Sequence, residues 1–296
     1  MRCEGVSGVS VDSSVEPIIL SDKQVARIRD VPGLKSNRDY AGLDIARTLD
    51  YWSRRYVRPL AGYTDIAGKT LCDCAAGFGW LGFAFLMAGG GKAVLVEPLP
   101  GKHQAARDIA AILGLAERCE FHDCYMQDLA LPDRSVDIFA SVETLEHVGR
   151  ANIRPCLETI VRLTRELVLL TTPNALFPLE WHDSRLFFTH WLPRAVRRPY
   201  ARLFGRRNEL FNDFVPPWAL APLRRSFTPV SRVMMYADMA AWRASYPFYS
   251  PYGDFPVKQR PPAILAAYYA LTSALLGRRA HWLAPNLASV WRRRAA

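Results

Sequence analysis

The chain has 296 residues, half of them apolar and 22% charged, which suits a globular protein with one large core and room for an appended subdomain. No apolar run approaches the length of a bilayer span, and the opening MRCEGVSGVSVDSSVEP has no apolar stretch of the kind a signal peptide requires. The net charge of +10 is unevenly placed: residues 1–184 hold 20 basic and 24 acidic residues, 185–232 hold 10 and 2, and 233–296 hold 8 and 2. The excess positive charge therefore lies in the last third, where it suits an anionic surface or substrate, or reflects the arginine usage of a GC-rich genome. Six cysteines show no paired metal-type spacing. Cys72, Cys74, Cys119, Cys124 and Cys156 sit in apolar context, and the expectation is reduced thiols in a cytoplasmic protein.

Residues 1–39 read as an extension, with 1–20 disordered or loosely attached. Leu43 to Leu60 places Leu43, Ile45, Leu49, Trp52, Tyr56 and Leu60 near helical spacing. Thr70 to Pro98 is then the most informative stretch. A short apolar strand ends in Leu71-Cys72-Asp73-Cys74, a small-residue turn follows at Ala75-Ala76-Gly77-Phe78-Gly79, and Trp80 to Met87 is an apolar helix stopped by Gly89-Gly90-Gly91. Ala93 to Val96 is a buried parallel strand with Glu97 at its carboxyl end, 24 residues after Asp73. An acid at the tip of the second strand of such a βαβ unit is placed to accept hydrogen bonds from a ribose.

Asp73-Cys74-Ala75-Ala76-Gly77-Phe78-Gly79 resembles the first motif of class I S-adenosylmethionine-dependent methyltransferases, an acid followed by alternating glycines. Ala75 stands where that pattern has its first glycine, which is tolerable if the backbone there has negative φ. The competing NAD-binding reading expects G-x-G-x-x-G, and no third glycine follows at that spacing. The resemblance implies a doubly wound, Rossmann-like α/β fold with a seven-stranded sheet, S-adenosyl-L-methionine as cofactor, and contacts to it from Asp73, Ala75, Gly77, Gly79 and Glu97. It also implies that the Leu43–Leu60 helix covers the cofactor, although packing is the expected role of Tyr51 and Trp52.

Gly101 to Leu113 is the next helix and Cys119 to His122 the third strand. Leu129-Ala130-Leu131-Pro132-Asp133, with Asp137 after it, resembles the family's segment beyond the adenine site. Counting back puts Tyr125 and Met126 on the adenine, with Asp123 or a backbone group taking the contact that an acid usually makes at Tyr125. Val136 to Ser141 is the fourth strand, and Ser141 at its tip joins the cofactor set.

Glu143-Thr144-Leu145-Glu146-His147-Val148 resembles the E-x-x-E-H segment of ubiquinone-type O-methyltransferases and of small-RNA 3′-end methyltransferases. On a helix, Glu143, Glu146 and His147 share one side through i, i+3 and i+4 spacing, a donor set suited to Mg²⁺, Mn²⁺ or Zn²⁺. By resemblance, His182 completes such a site. The alternative is a helix start with no metal, in which Glu146 caps the helix and His147 is a base or packs on Trp181. Glu143 and His147 are the candidates for removing a proton from an oxygen acceptor.

Ile153 to Thr164 is a helix and Leu167 to Thr172 the fifth strand. Phe187-Phe188-Thr189-His190-Trp191-Leu192-Pro193-Arg194 opens a basic-aromatic acceptor cap that resembles bacterial methyltransferases with a TPN…HWLP pattern. The division expected is a core over 40–236 with its cap at about 175–215, a helical insertion at 237–283, and a last strand with a basic tail at 284–296. Pro216 to Leu223 reads as a helix, Val230 to Tyr236 as the sixth strand and Asn286 to Trp291 as the seventh. Within the insertion, AILAAYYALTSALLG at 263–277 is too short to span a bilayer; it lies at a membrane interface or, the reading preferred, is buried against the sheet.

The function expected is O-methylation of a small-molecule, lipid or glycan acceptor, with peripheral contact to an anionic membrane at its inner face. An RNA-directed methyltransferase or a catalytically silent cofactor-binding partner protein is the alternative. No RNA-binding module or regular series of stacking aromatics supports RNA, and nothing points to DNA.

Overall fold

The computed structural model describes residues 17–37, 40, 42–180, 184–206, 212–248, 250–252, 257–287 and 289–295. Seven strands form one sheet: β1 (Thr70–Cys74), β2 (Lys92–Val96), β3 (Cys119–His122), β4 (Val136–Val142), β5 (Thr164–Thr171), β6 (Phe227–Pro229) and β7 (Ser289–Arg293). Their order is β3-β2-β1-β4-β5-β7-β6. β1 to β5 pair in parallel, and β7 enters antiparallel between β5 and β6. The order reverses between β1 and β4, and in open α/β sheets ligands bind outside the strand tips at such a switch point.

The helices are α1 (Asp22–Arg29), α2 (Pro32–Lys35), α3 (Ile45–Trp52), α4 (Arg58–Ala61), α5 (Trp80–Met87), α6 (Pro100–Leu113), α7 (Arg150–Leu163), α8 (Arg194–Leu203), α9 (Ala221–Ser226), α10 (Met239–Ala244) and α11 (Ala263–Leu276). Side chains alternate across the parallel strands, as the pleat requires. Leu71, Leu95, Ile138 and Leu169 join the layer with α3, α5 and α6, while Cys72, Cys74, Phe139 and Val168 join the layer with α7 and α9. The buried Cys72 and Cys74 thus share one face, and burial pushes both thiols well up from the usual range.

Several expectations change. The stretch just before α1 is anchored: the Leu20 N–H donates to the Ala46 carbonyl at 3.1 Å and the Ile18 N–H to Asp50 Oδ1 at 3.2 Å. The Ser21 side chain caps α1, and Ile28 is fully buried. The sixth strand lies at Phe227–Pro229, not at Val230–Tyr236, where Val233 and Tyr236 close a tight turn. The seventh starts three residues later than expected, at Ser289. Between α3 and α4, Ser53–Val57 forms one π-turn, so the expected helix continues with a change of pitch.

The α11 helix corrects the preference for a buried helix. Ala266, Tyr269 and Thr272 are buried, packing with Val233, Tyr236 and Trp242, but the opposite side of α11 is exposed. Ile264 is 83% exposed, Leu271 59% and Leu275 73%.

Candidate active site

At the tip of β1 the backbone enters the left-handed region three times, at Ala75 (φ 60°), Gly77 (φ 58°) and Gly79 (φ 83°). The condition of negative φ at Ala75 is therefore not met. A residue with a Cβ in this region costs about 1–3 kcal/mol, and surrounding bonds must hold it. Here the Ala76 N–H donates to the Val96 carbonyl at 3.0 Å and the Gly79 N–H to the Ala76 carbonyl at 2.8 Å. A Cβ on Gly79 would stand 2.6 Å from the Phe83 ring, whereas one on Gly77 would meet nothing within 4 Å. The turn is thus closed against α5 and open at Gly77, where a ligand can approach the backbone.

Both acids of the motif are buried and hold this turn. Glu97 Oε2 accepts the Gly77 N–H at 2.8 Å and Oε1 accepts the Leu99 N–H at 3.0 Å. Asp73 Oδ2 accepts the Gly82 N–H in the first turn of α5 at 3.1 Å. Burial pushes the Asp73 carboxyl up to about 7; the Gly82 hydrogen bond opposes this and the nearby Glu97 charge adds to it.

A cleft of about 390 Å³ opens beside the turn, lined in part by Cys74, Ala75, Tyr125, Met126, Thr144 and His147. Its volume falls in the range of about 300–1,000 Å³ usual for ligand pockets. Tyr125 is 60% exposed at the rim and Met126 is buried in the wall. Glu97 is buried and is not among the lining residues, whereas its neighbour Pro98 is. Ser141 is not among the lining residues. It pairs with Cys74 across β1 and β4 and is fully buried, its hydroxyl without a hydrogen-bond partner among the described residues.

The segment after β4 departs most from expectation, because no helix forms until Arg150. Glu143 has φ 48°, incompatible with a right-handed helix, and its N–H donates to the Thr171 carbonyl at 2.9 Å. The i, i+3, i+4 relation is lost and the three side chains part. Glu143 Oε1 accepts the Asn286 side-chain N–H at 2.6 Å, and Glu146 is fully buried with Oε2 accepting the Thr172 hydroxyl at 2.9 Å. His147 lines the cleft with its Nε2 3.8 Å from Glu146 Oε1. Among the described residues no group of three His, Cys, Asp or Glu side chains is placed to hold a metal. His182 and Trp181 lie outside the described residues. The donors Glu143, Glu146 and His147 do not fit a shared ion.

Over the turn lies an aromatic cover. Tyr40 meets Phe78 edge-on at 4.8 Å and Tyr252 at 5.9 Å, while Tyr51 meets Tyr252 at 6.2 Å and Phe248 at 5.7 Å. Trp52 stacks on Tyr56 at 5.0 Å, so both aromatics of α3 do pack as expected. Burial pushes the Tyr51 hydroxyl up; Arg55 opposes this, and the facing Glu143 charge adds to it. Phe248 and Tyr252 were not foreseen at the site. They come from the insertion, brought here by a hydrogen bond from the Asp44 N–H to the Pro251 carbonyl at 2.8 Å and a bridge between Leu43 and Tyr252. Pro98, Cys124, Gln127, Thr144, Val148 and Asn152 of the cleft wall were also missed, although all but Asn152 lie within or next to a motif the sequence displays.

Residues 71–166 match the family described as a methyltransferase domain. The match spans about a third of the chain, and that part is a methyltransferase domain. S-adenosyl-L-methionine is the cofactor of this methyltransferase, and the strand–turn–helix–strand–acid unit with its open turn fits it. No curated protein sequence matches the chain. Among solved structures, the MccD protein is 14% identical with a TM-score of 0.45, over 84% of this chain and 97% of that one. The magnesium protoporphyrin IX methyltransferase of Synechocystis PCC 6803 is 14% identical with a TM-score of 0.44, over 70% and 85%. The YcgJ protein of Bacillus subtilis is 16% identical with a TM-score of 0.43, over 58% and 68%. The methyltransferase has a second, larger cleft of about 570 Å³, lined by residues including Arg150, Phe214, Trp218 and Arg225, which holds none of the expected site residues.

Proposed function

We propose that the enzyme methylates a hydroxyl oxygen, with His147 as the base. The observation that carries this is a carboxylate–imidazole pair at the cleft: His147 stands in the same wall as Ala75 and Met126, with Nε2 3.8 Å from the buried Glu146 Oε1. The cofactor supplies a methyl group on a sulfonium, already activated, so the protein must align the acceptor and remove its proton. Glu146, held by the Thr172 hydroxyl, orients the imidazole and stabilises its protonated form. Glu97 takes the ribose hydroxyls, the Ala75–Gly79 turn takes the methionine portion, and Tyr125 and Met126 enclose the adenine. Glu143, engaged by Asn286 and facing Tyr51, belongs to the acceptor wall and not to proton transfer. No step runs through a metal ion. The acceptor class is a small molecule, lipid or glycan carrying a free hydroxyl.

The test uses methyl-labelled S-adenosyl-L-methionine with separate total-lipid, glycan and RNA extracts. The expected result is label in a lipid, glycan or small-molecule fraction, lost in His147→Gln while calorimetric cofactor affinity is kept. Full turnover by His147→Gln, or label in RNA alone, overturns the reading.

A further inference from the structure

We infer that the enzyme docks on an anionic lipid bilayer through two apolar patches, the outer side of α11 and the tip of the cap. The inference stands apart from the chemistry proposed above.

The first patch is a helix side with no polar member. Every exposed residue of α11 is Ala, Ile or Leu: Ala263, Ile264, Ala267, Ala270, Leu271, Ala274, Leu275 and Leu276. A helix on a protein surface normally turns a polar side outward, so a wholly apolar outer side marks a contact surface. The second patch is in the cap, where Phe187, Phe188, Trp191, Leu203 and Phe204 are exposed, Leu203 at 79%. The rings of Phe188 and Trp191 lie 5.0 Å apart, so the aromatics form a cluster.

Charge names the occupant. Residues 187–206 hold five arginines and 257–283 hold four basic residues, and neither stretch contains an acid. Arg198, Arg202 and Arg206 are exposed beside the cap aromatics, and Lys258, Arg260 and Arg279 are exposed around α11. Exposed apolar side chains flanked along the chain by exposed cations, with Trp and Phe among them, match the acyl–headgroup boundary of a bilayer bearing acidic lipids. On α11 the bare aliphatic side chains of Ile264, Leu271 and Leu275 have no ring on which a nucleobase could stack, so that patch does not suit RNA.

The two patches are tied at one place. The Trp191 indole N–H donates to the Ala175 carbonyl at 2.6 Å, and the Phe177 ring meets Tyr268 of α11 edge-on at 5.6 Å. Ala175 and Phe177 belong to the loop leaving the carboxyl end of β5, the end of the sheet that also carries the cleft. A bilayer holding both patches lies at the acceptor side of the molecule.

The test is flotation of the full chain with phosphatidylcholine vesicles, with and without phosphatidylglycerol. Flotation is expected only with the anionic vesicles at low salt. Leu271→Glu with Leu275→Glu, and separately Arg202→Glu with Arg206→Glu, should each lower partitioning about tenfold or more while leaving calorimetric cofactor affinity unchanged. Four results overturn the inference: no flotation at low salt, equal flotation with neutral vesicles, both variant pairs floating like the parent, or salt-sensitive RNA binding without vesicle binding. A dimer that the Leu271→Glu pair dissolves, with no flotation by the parent, assigns the surface to a second copy of the chain and also overturns it.

Discussion

The βαβ unit at 70–98 and the carboxyl-terminal third handle apolar residues in opposite ways. In the first, Leu71, Leu81, Phe83, Phe85 and Leu95 are all buried, and both acids accept backbone N–H groups, Asp73 from Gly82 of α5 and Glu97 from Gly77 and Leu99. In the second, Leu203, Ile264, Leu271 and Leu275 stand in solvent beside arginines. The first region buries its apolar residues beneath the cofactor turn, whereas the second leaves several of them outside the core. The two regions share the core where Met235 and Val290 pack with Leu71 and Leu95, and Tyr252 of the insertion reaches Tyr40, which meets Phe78 of the turn.

Substitutions sharpen that contrast. The largest effect is expected at the cleft: His147→Gln should lower turnover about 10²–10⁴-fold, the usual value of a positioned base, with calorimetric cofactor affinity intact. Equal turnover would place the chemistry elsewhere. Asp73 makes a pH-dependent prediction. Its folded pKa is raised to about 7 from 3.8, so its stabilising contribution is whole below about pH 4 and is lost as pH rises through 7. Asp73→Asn, which can still accept the Gly82 N–H, should therefore gain about 2–4 kcal/mol on the parent between pH 5 and pH 8 in denaturant unfolding. A difference that does not change with pH would show that the carboxyl is charged throughout.

Glu97→Ala should weaken cofactor binding by about 1.5–3 kcal/mol, the value of a hydrogen bond to a charged group, read by calorimetry. The Leu271→Glu pair on α11 should leave that affinity untouched, which separates the two regions directly. The smallest effect is at Ala75. Replacing it with glycine relieves the left-handed strain but adds chain entropy to the unfolded state, for a net gain of about 1 kcal/mol in thermal or denaturant unfolding. A loss of stability would mean that the methyl group packs usefully in the cleft wall.

The parts of the site legible in the sequence are those where chemistry is local. Asp73, Gly77, Gly79 and Glu97 fall within one βαβ unit, so their spacing alone brings them to one turn. Tyr125 and Met126, reached by counting back along one segment, line the cleft. The E-x-x-E-H stretch misled because its geometry depends on φ at Glu143, which a contact with Thr171 on the neighbouring strand fixes. Ser141 misled because strand alternation turned its side chain toward the α7 layer, where it is fully buried.

The sequence by itself determined the parallel sheet, the cofactor turn and the basic last third, because apolar runs, glycine placement and charge are properties of neighbours along the chain. Tertiary structure alone decided that Glu146 turns inward to Thr172 while His147 faces the cleft, and that Tyr252 covers Tyr40 across more than two hundred residues. It also decided that α11 buries Ala266, Tyr269 and Thr272 and leaves Leu271 and Leu275 outside. A helix of uniformly apolar residues carries no periodicity to say which side faces the core. Only the surface it packs against makes that choice.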